Sequence, residues 1–212
     1  PPRQLRRPLP LAGEAARPER RDAAEHRRQV LAAAARLFAA RGVADVSMDE
    51  IAREAAVGKG TLYRRYAHKG ELCQALLDEN TRRLQSEVLD RLRDTDESAV
   101  IQLEYLLACL AGHNDENAEL LCAVSDAASG ARRDIVYRSP AYEWQRLTAY
   151  TLLRRAVARG ELPPLDADYL ADALLAPLDI SLYLFQRHAR GFSRERIVAG
   201  MTRLLRGMKN EK

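Results

Sequence analysis

The stretch SMDEIAREAAVGKGTLYRRYAHKGEL, Ser47 to Leu72, decides how this chain folds. Ser47 is followed by Glu50 at the spacing of a capping box, so a helix opens there with Ile51 and Ala52 turned inward. Gly58 and Gly60 break it. Thr61 can cap a further helix, in which Leu62 and Tyr66 lie four apart and share a face. A helix, a turn and a second short helix form a helix-turn-helix over about 47–66, with the preceding helix as support.

Working outward, Val30, Leu31, Ala34, Leu37 and Phe38 recur at spacings of three and four, an amphipathic helix stopped at Arg41-Gly42. Downstream, Leu72, Leu76, Leu84, Val88 and Leu92 predict one long helix from Glu71 to about Arg93. Further helical patterns fall near 98–112, 116–128, 139–159, 166–189 and 193–208. In the 166–189 segment Pro177 frees a carbonyl one turn back and kinks the helix. With no period-two strand pattern beyond a few residues, the predicted class is all-α, with about nine helices. Three regions are expected: an arginine- and proline-rich disordered leader over 1–24, a DNA-binding domain over 25–70, and a larger helical domain over 71–208.

Charge supports that division. Residues 1–69 carry a net +7 and residues 70–212 a net −3, so the whole-chain +4 hides a basic first third on a mildly acidic body. Without residues 1–24 the segment 25–69 still carries +4. A basic module beside a near-neutral one is the footprint of nucleic-acid binding. Other classes lose ground. No apolar run approaches 18 residues, and the arginine-bearing N-terminus has no apolar core of a secretory signal. Cys73, Cys109 and Cys122 are scattered without a CxxC pair, and the four histidines show no ligand spacing. That pattern favours a reducing cytoplasm and no metal or cofactor. No GxGxxG, P-loop or GxSxG occurs, and the acids Glu143 and Asp179 have no identifiable partner, so an enzyme is not expected.

Helical geometry, at about 100° per residue, sorts the Thr61–Tyr66 side chains. With Leu62 and Tyr66 inward, Arg64 points most directly away. Tyr63 and Arg65 sit on its flanks, and Lys59, Gly60 and Thr61 form the tip. A helix in the major groove needs that layout, its crest meeting base edges and its flanks the phosphate walls. Arg64, Lys59 and Gly60 are therefore the candidate base-reading residues. Ser47, Thr61, Tyr63, Arg65 and Lys69 are the candidate phosphate contacts, Lys69 standing beside a helix N-terminus.

The segments VLAAAARLFAARG, VSMDEIAREAAV and GKGTLYRRYAHKGELCQAL, within residues 28–76, resemble the N-terminal domain of the TetR family of bacterial transcriptional regulators. The Thr61-Leu62-Tyr63 run, the aromatic at 66, Lys69 and Leu72 carry the resemblance. Four departures stand out, the first being Arg65 where the family often has Tyr or His, which implies an added positive charge on the phosphate flank. Ala56 replaces the usual turn glycine, where a left-handed conformation is less comfortable. Tyr66 replaces the usual Phe, implying a core residue with its hydroxyl at the rim. Asp49 stands where some members place a base-reading Arg, implying a cytosine contact or none.

Residues 155–208 are similar to the last three helices of a TetR ligand-binding domain. The resemblance implies a homodimer built on Leu174, Leu178, Leu182, Phe185, Ile197, Met201, Leu204 and Leu205; from spacing alone the same residues serve equally as monomer core. It also implies a small-molecule pocket, for which Tyr105, His113, Tyr142, Trp144, Tyr150 and Tyr183 are the polar-aromatic candidates. The expected function is a sequence-specific DNA-binding regulator. It would act as a dimeric repressor on a palindromic operator and be released by a small-molecule ligand. The alternative is a DNA-binding regulator with no small-molecule ligand, controlled by a protein partner or constitutive.

Overall fold

The computed structural model describes residues 16–93, 96–127 and 137–207, with side chains from residue 24 onward. Among these residues the regular structure is helical, ten α-helices and no strand. The chain divides into two compact units, the first ending at Lys69 and the second beginning at Gly70.

In the first unit, α1 spans Ala16–Arg41, α2 Met48–Glu54 and α3 Lys59–Arg65. The expectation of a leader disordered through residue 24 is corrected for 16–24, which form the opening turns of α1; residues 1–15 lie outside the described residues. From Ala16 the sequence is dominated by alanine, arginine and glutamate, strong helix formers. Pro18 falls in the first turn, where its missing N–H has no intrahelical partner to lose. The helix stops where Gly42 adopts φ 81 and its amide donates back to the Phe38 carbonyl at 2.7 Å.

The capping box that opens α2 is present. The Glu50 amide donates to Ser47 Oγ, and the Ser47 amide donates to Glu50 Oε2 at 2.8 Å. At its other end the Ala56 amide donates to the Arg53 carbonyl and the Val57 amide to the Ala52 carbonyl, at 3.1 and 3.0 Å. Those two bonds are a Schellman ending, which demands a left-handed residue one past the cap. The residue there is Ala56, with φ 52, the one non-glycine at positive φ among the described residues.

Next, α3 begins two residues before the expected cap. Gly58, not Thr61, is the N-cap, and the Thr61 and Leu62 amides both donate to its carbonyl. Gly58 supplies the extended cap backbone, and Gly60 is accommodated inside the first turn. Val30, Leu31, Ala34, Phe38, Val46, Met48, Ile51, Ala52, Leu62 and Tyr66 are buried. α1 packs on α2, and α2 on α3.

α4 covers Lys69–Leu92, so Lys69 belongs to the first unit and the rest of the helix to the second. α5 (Ala99–Glu116), α6 (Ala118–Ala127), α7 (Pro140–Ala158), α8 (Ala167–Leu175), α9 (Ile180–Leu184, continued by a π-turn over Phe185–Ala189) and α10 (Arg194–Gly207) complete the second unit. At its centre, α5 buries Val100, Leu103, Leu106, Leu107 and Leu110 against α7 and α10. Burial of each leucine contributes about 2 kcal/mol. The start of α5 is capped from the loop after α7, where Glu161 accepts from the Ala99 and Val100 amides and from the Ser98 hydroxyl at 3.1, 3.0 and 2.6 Å. Partial burial pushes the Glu161 carboxyl up, but these hydrogen bonds outweigh it and hold the group below its ordinary range. Gly160, at φ 70, makes the turn that delivers it.

The kink expected at Pro177 is a full break. A 3-10 turn over Ala176–Leu178 separates α8 from α9, and Asp179 caps α9 by accepting from the Ser181 and Leu182 amides. That break raises the helix count from nine to ten.

Candidate nucleic-acid interface

The predicted facing of α3 is the observed one. Leu62 and Tyr66 are buried, while Tyr63, Arg64 and Arg65 are exposed, with Tyr63 at 45%. Tyr66 is core, but its hydroxyl is buried without a hydrogen-bond partner rather than resting at the rim. The Arg65 guanidinium lies over the Tyr66 ring, 6.0 Å from its centroid. Arg64 forms no hydrogen bond or ion pair with the described residues and stands free on the crest.

The surrounding charges are largely spent. Each acid of α2 holds a cation: Asp49 pairs with Lys59, Glu50 with Arg41 at 2.9 Å, and Glu54 with Arg36 at 2.9 Å. Hydrogen bonds from the Ser47 amide and hydroxyl, with Arg41 beside them, hold the Glu50 carboxyl down at about 2. Arg53, exposed on α2, is a second unpaired cation among the described residues.

Two candidate phosphate contacts have another role. The Ser47 hydroxyl donates to Glu50 Oε2 at 2.7 Å and accepts the Glu50 amide, so its single proton is committed to the cap. Lys69 donates its ammonium protons to the carbonyls of Val43, Ala44 and Val46 at 2.7, 3.1 and 3.0 Å. An ammonium has three donors, and here all three tie the α1–α2 loop to the head of α4. These carbonyls lie more than twenty residues from Lys69, a separation no local spacing reveals. Lys59, Gly60 and Thr61 do form the tip of α3, with Lys59 and Gly60 exposed and Thr61 half-buried.

In the second unit the ligand candidates are dispersed among separate polar clusters. His113 is buried, with Nε2 facing Thr81 Oγ1 at 3.4 Å and Nδ1 facing Asn117 Nδ2 at 3.2 Å. An amide donor at Nδ1 fixes the neutral tautomer with its proton on Nε2, and burial keeps the pKa below 6.5. The string continues as Asn80 donates to Asn117 and Arg83 to Asn80. The Tyr142 hydroxyl donates to Asp172 at 2.6 Å, and burial with that bond raises its pKa. Tyr183 is wholly buried and donates to Asp115 and to the Ala111 carbonyl at 2.9 and 3.1 Å. Trp144 is half-buried against the core. Tyr105 lines an open groove of about 520 Å³ between α5 and α10, with Cys109, Arg194 and Thr202. Tyr150 lines another, of about 360 Å³, at the α7–α8 connection.

The dimer candidates divide. Leu174, Leu178, Ile197, Met201 and Leu205 are buried in the core of their own unit, the role that spacing alone left equally open to them. The apolar stripe of each helix is wide enough that its inner edge serves the monomer. Leu182, Phe185 and Leu204 are exposed at 43%, 50% and 65%, and Tyr169, missed in the sequence, at 71%.

A helix-turn-helix with a free arginine on its crest, joined to a helical second unit, defines a DNA-binding transcriptional regulator. Residues 30–76 match the family model of bacterial regulatory proteins of the tetR family. The chain is 30% identical over 179 residues to an HTH-type transcriptional regulator of Staphylococcus aureus (strain bovine RF122 / ET3-1), spanning 83% of this chain and 90% of that one. It belongs to the TetR family of transcriptional regulators and is not an enzyme. The fold is similar to that of a TetR-family regulator from Pectobacterium atrosepticum (TM-score 0.72, 22% identity, 91% of this chain and 98% of that one). It is also similar to a regulator from Saccharomonospora viridis in complex with choline (TM-score 0.68, 22% identity, 86% and 96%). Among the described residues no helix is long and apolar enough to cross a membrane, and no cluster of acids, histidines and cysteines could hold a metal.

Proposed function

We propose that the chain acts in the cytoplasm as a homodimeric repressor, placing α3 of each copy in successive major grooves of a palindromic operator. The observation that carries this reading is Arg64, exposed and unpaired on the crest of α3 between Tyr63 and Arg65. A free guanidinium there can grip guanine O6 and N7 as a bidentate pair. Tyr63, Arg65 and Thr61 flank it toward the phosphates. Two copies are needed because half-sites lie one helical turn, about 34 Å, apart. The exposed Leu182, Phe185, Leu204 and Tyr169 supply the apolar face for self-association.

Selection from a random duplex library tests the reading. Wild type enriches a palindrome, and Arg64→Ala loses preference at one base pair per half-site at a cost of about 1–3 kcal/mol. Phe185→Glu with Leu204→Glu yields a monomer of half the dimer mass by light scattering. Enrichment of no palindrome, or a dimer unmoved by the two glutamates, refutes it.

Release by a small molecule is the favoured control, through a ligand that binds a conformer mismatched to the operator. The choline-bound relative supports a ligand site in this fold. A regulator without such a ligand is favoured by a different observation. The hydroxyls of Tyr142 and Tyr183 and the ring nitrogens of His113 are already satisfied internally. Native mass spectrometry of the purified protein, with a thermal-shift screen over small molecules, separates the two.

A further inference from the structure

Helix-turn-helix proteins set the N-terminal residues of the second helix against base edges. In α3 these are Lys59, Gly60 and Thr61. Gly60 offers no side chain, and a Cβ built there meets nothing within 4 Å, so the tip is open beside Lys59. The Lys59 ammonium is held by the Asp49 carboxylate, which reaches across from the first turn of α2. Both side chains remain accessible, Lys59 at 66% and Asp49 at 43%.

An exposed ion pair of this kind adds little to stability. Its position gives it another use. A lone lysine at the tip would reach for a phosphate, a contact blind to sequence. Paired with Asp49, its charge is cancelled and its pull on the backbone is weakened. What remains is a donor beside an acceptor. The major-groove edge of a G·C pair presents the matching order: guanine N7 and O6 accept, and cytosine N4 donates. An A·T pair interposes a donor between two acceptors and adds a methyl group, which the ammonium–carboxylate couple does not match.

We propose that Asp49 and Lys59 act as one specificity-determining unit that reads a single G·C pair in each half-site, Lys59 donating to guanine and Asp49 accepting from cytosine N4. The proposal rests on the reading of this chain as a sequence-specific DNA binder.

The test is selection from a random duplex library with wild type, Asp49→Ala, Lys59→Ala and Arg64→Ala, followed by binding measurements over a range of salt. Asp49→Ala and Lys59→Ala are expected to flatten preference at the same G·C position by about tenfold or more, while Arg64→Ala flattens a different one. Asp49→Ala should also steepen the salt dependence by about one unit, as the released Lys59 takes a phosphate. Lys59→Ala should leave the wild-type slope unchanged. Melting temperatures should stay near wild type, since both side chains are exposed. The proposal is overturned if the two variants flatten different positions or none, or if Lys59→Ala alone makes the slope shallower by one unit, which would place Lys59 on a phosphate. If wild type enriches no site and Arg64→Ala changes nothing, the DNA-binding reading itself fails and takes the unit with it.

Discussion

Ala56→Gly should stabilise the protein. Ala56 holds the left-handed position of the Schellman ending of α2, at φ 52. That conformation costs a residue with a Cβ about 1–2 kcal/mol, because Cβ crowds the following carbonyl. Glycine escapes the crowding but loses about 0.4–1 kcal/mol more backbone entropy on folding than alanine. Ala56 is exposed, so its methyl buries little apolar surface. The net gain is about 0.5–1 kcal/mol, read as a melting-temperature rise of about 2 °C if the chain unfolds as one unit. Urea and thermal unfolding of both proteins measure it, with operator affinity unchanged. Gly160→Ala is the mirror control: at φ 70, with nothing within 4 Å of the new Cβ, strain is the only cost, and stability should fall by a similar amount. If Ala56→Gly is neutral or destabilising while Gly160→Ala costs stability, the left-handed turn at Ala56 carries no strain and the reasoning fails.

Tyr66→Phe removes a buried hydroxyl that has no partner; a gain of about 1 kcal/mol in unfolding free energy is expected, and a loss would mean the hydroxyl is bonded in solution. Lys69→Met strips three loop carbonyls of their donor and should cost about 2 kcal/mol by urea denaturation. Operator binding should weaken without a shallower salt slope, since Lys69 displaces no counterion; a slope lowered by one unit places it on phosphate instead. For His113 the folded pKa lies below 6.5 because of burial, so its contribution to stability is present above pH 6.5 and lost as pH falls through the folded value. His113→Gln should flatten unfolding free energy against pH on the acid side of 6.5, and an unchanged profile would show that the ring titrates normally.

What could be read in the sequence was local. The capping box at Ser47, the stop at Gly42 and the inward pair Leu62 and Tyr66 each depend on residues within a turn of one another. The strained Ala56 was legible because a single turn geometry sets it. What escaped was chemistry between distant segments. The seat of Lys69 lies on the α1–α2 loop, and the partner of Asp49 lies across a turn on another helix. Nor does an apolar pattern say which of its edges faces inward. Leu204 and Leu205 are neighbours in one stripe, yet one is 65% exposed and the other fully buried. The start of α1 was missed because the prolines and arginines before it outweighed the helix formers from Ala16 onward.

The break at Pro177 also bears on how this chain can change in length. In an unbroken helix, one added residue turns everything beyond it by about 100°. Here α9 restarts on its own cap at Asp179, and its rotation is fixed by the Tyr183 hydroxyl tethered to Asp115 on α5 rather than by continuity from α8. The turn over Ala176–Leu178 is thus a joint whose far end is pinned to α5, where Asn114 donates to the Leu178 carbonyl at 2.8 Å. A residue gained or lost ahead of Leu178 would leave Leu182 and Phe185 on their outward bearing, because the Leu178 carbonyl and the Tyr183 hydroxyl are both held by α5.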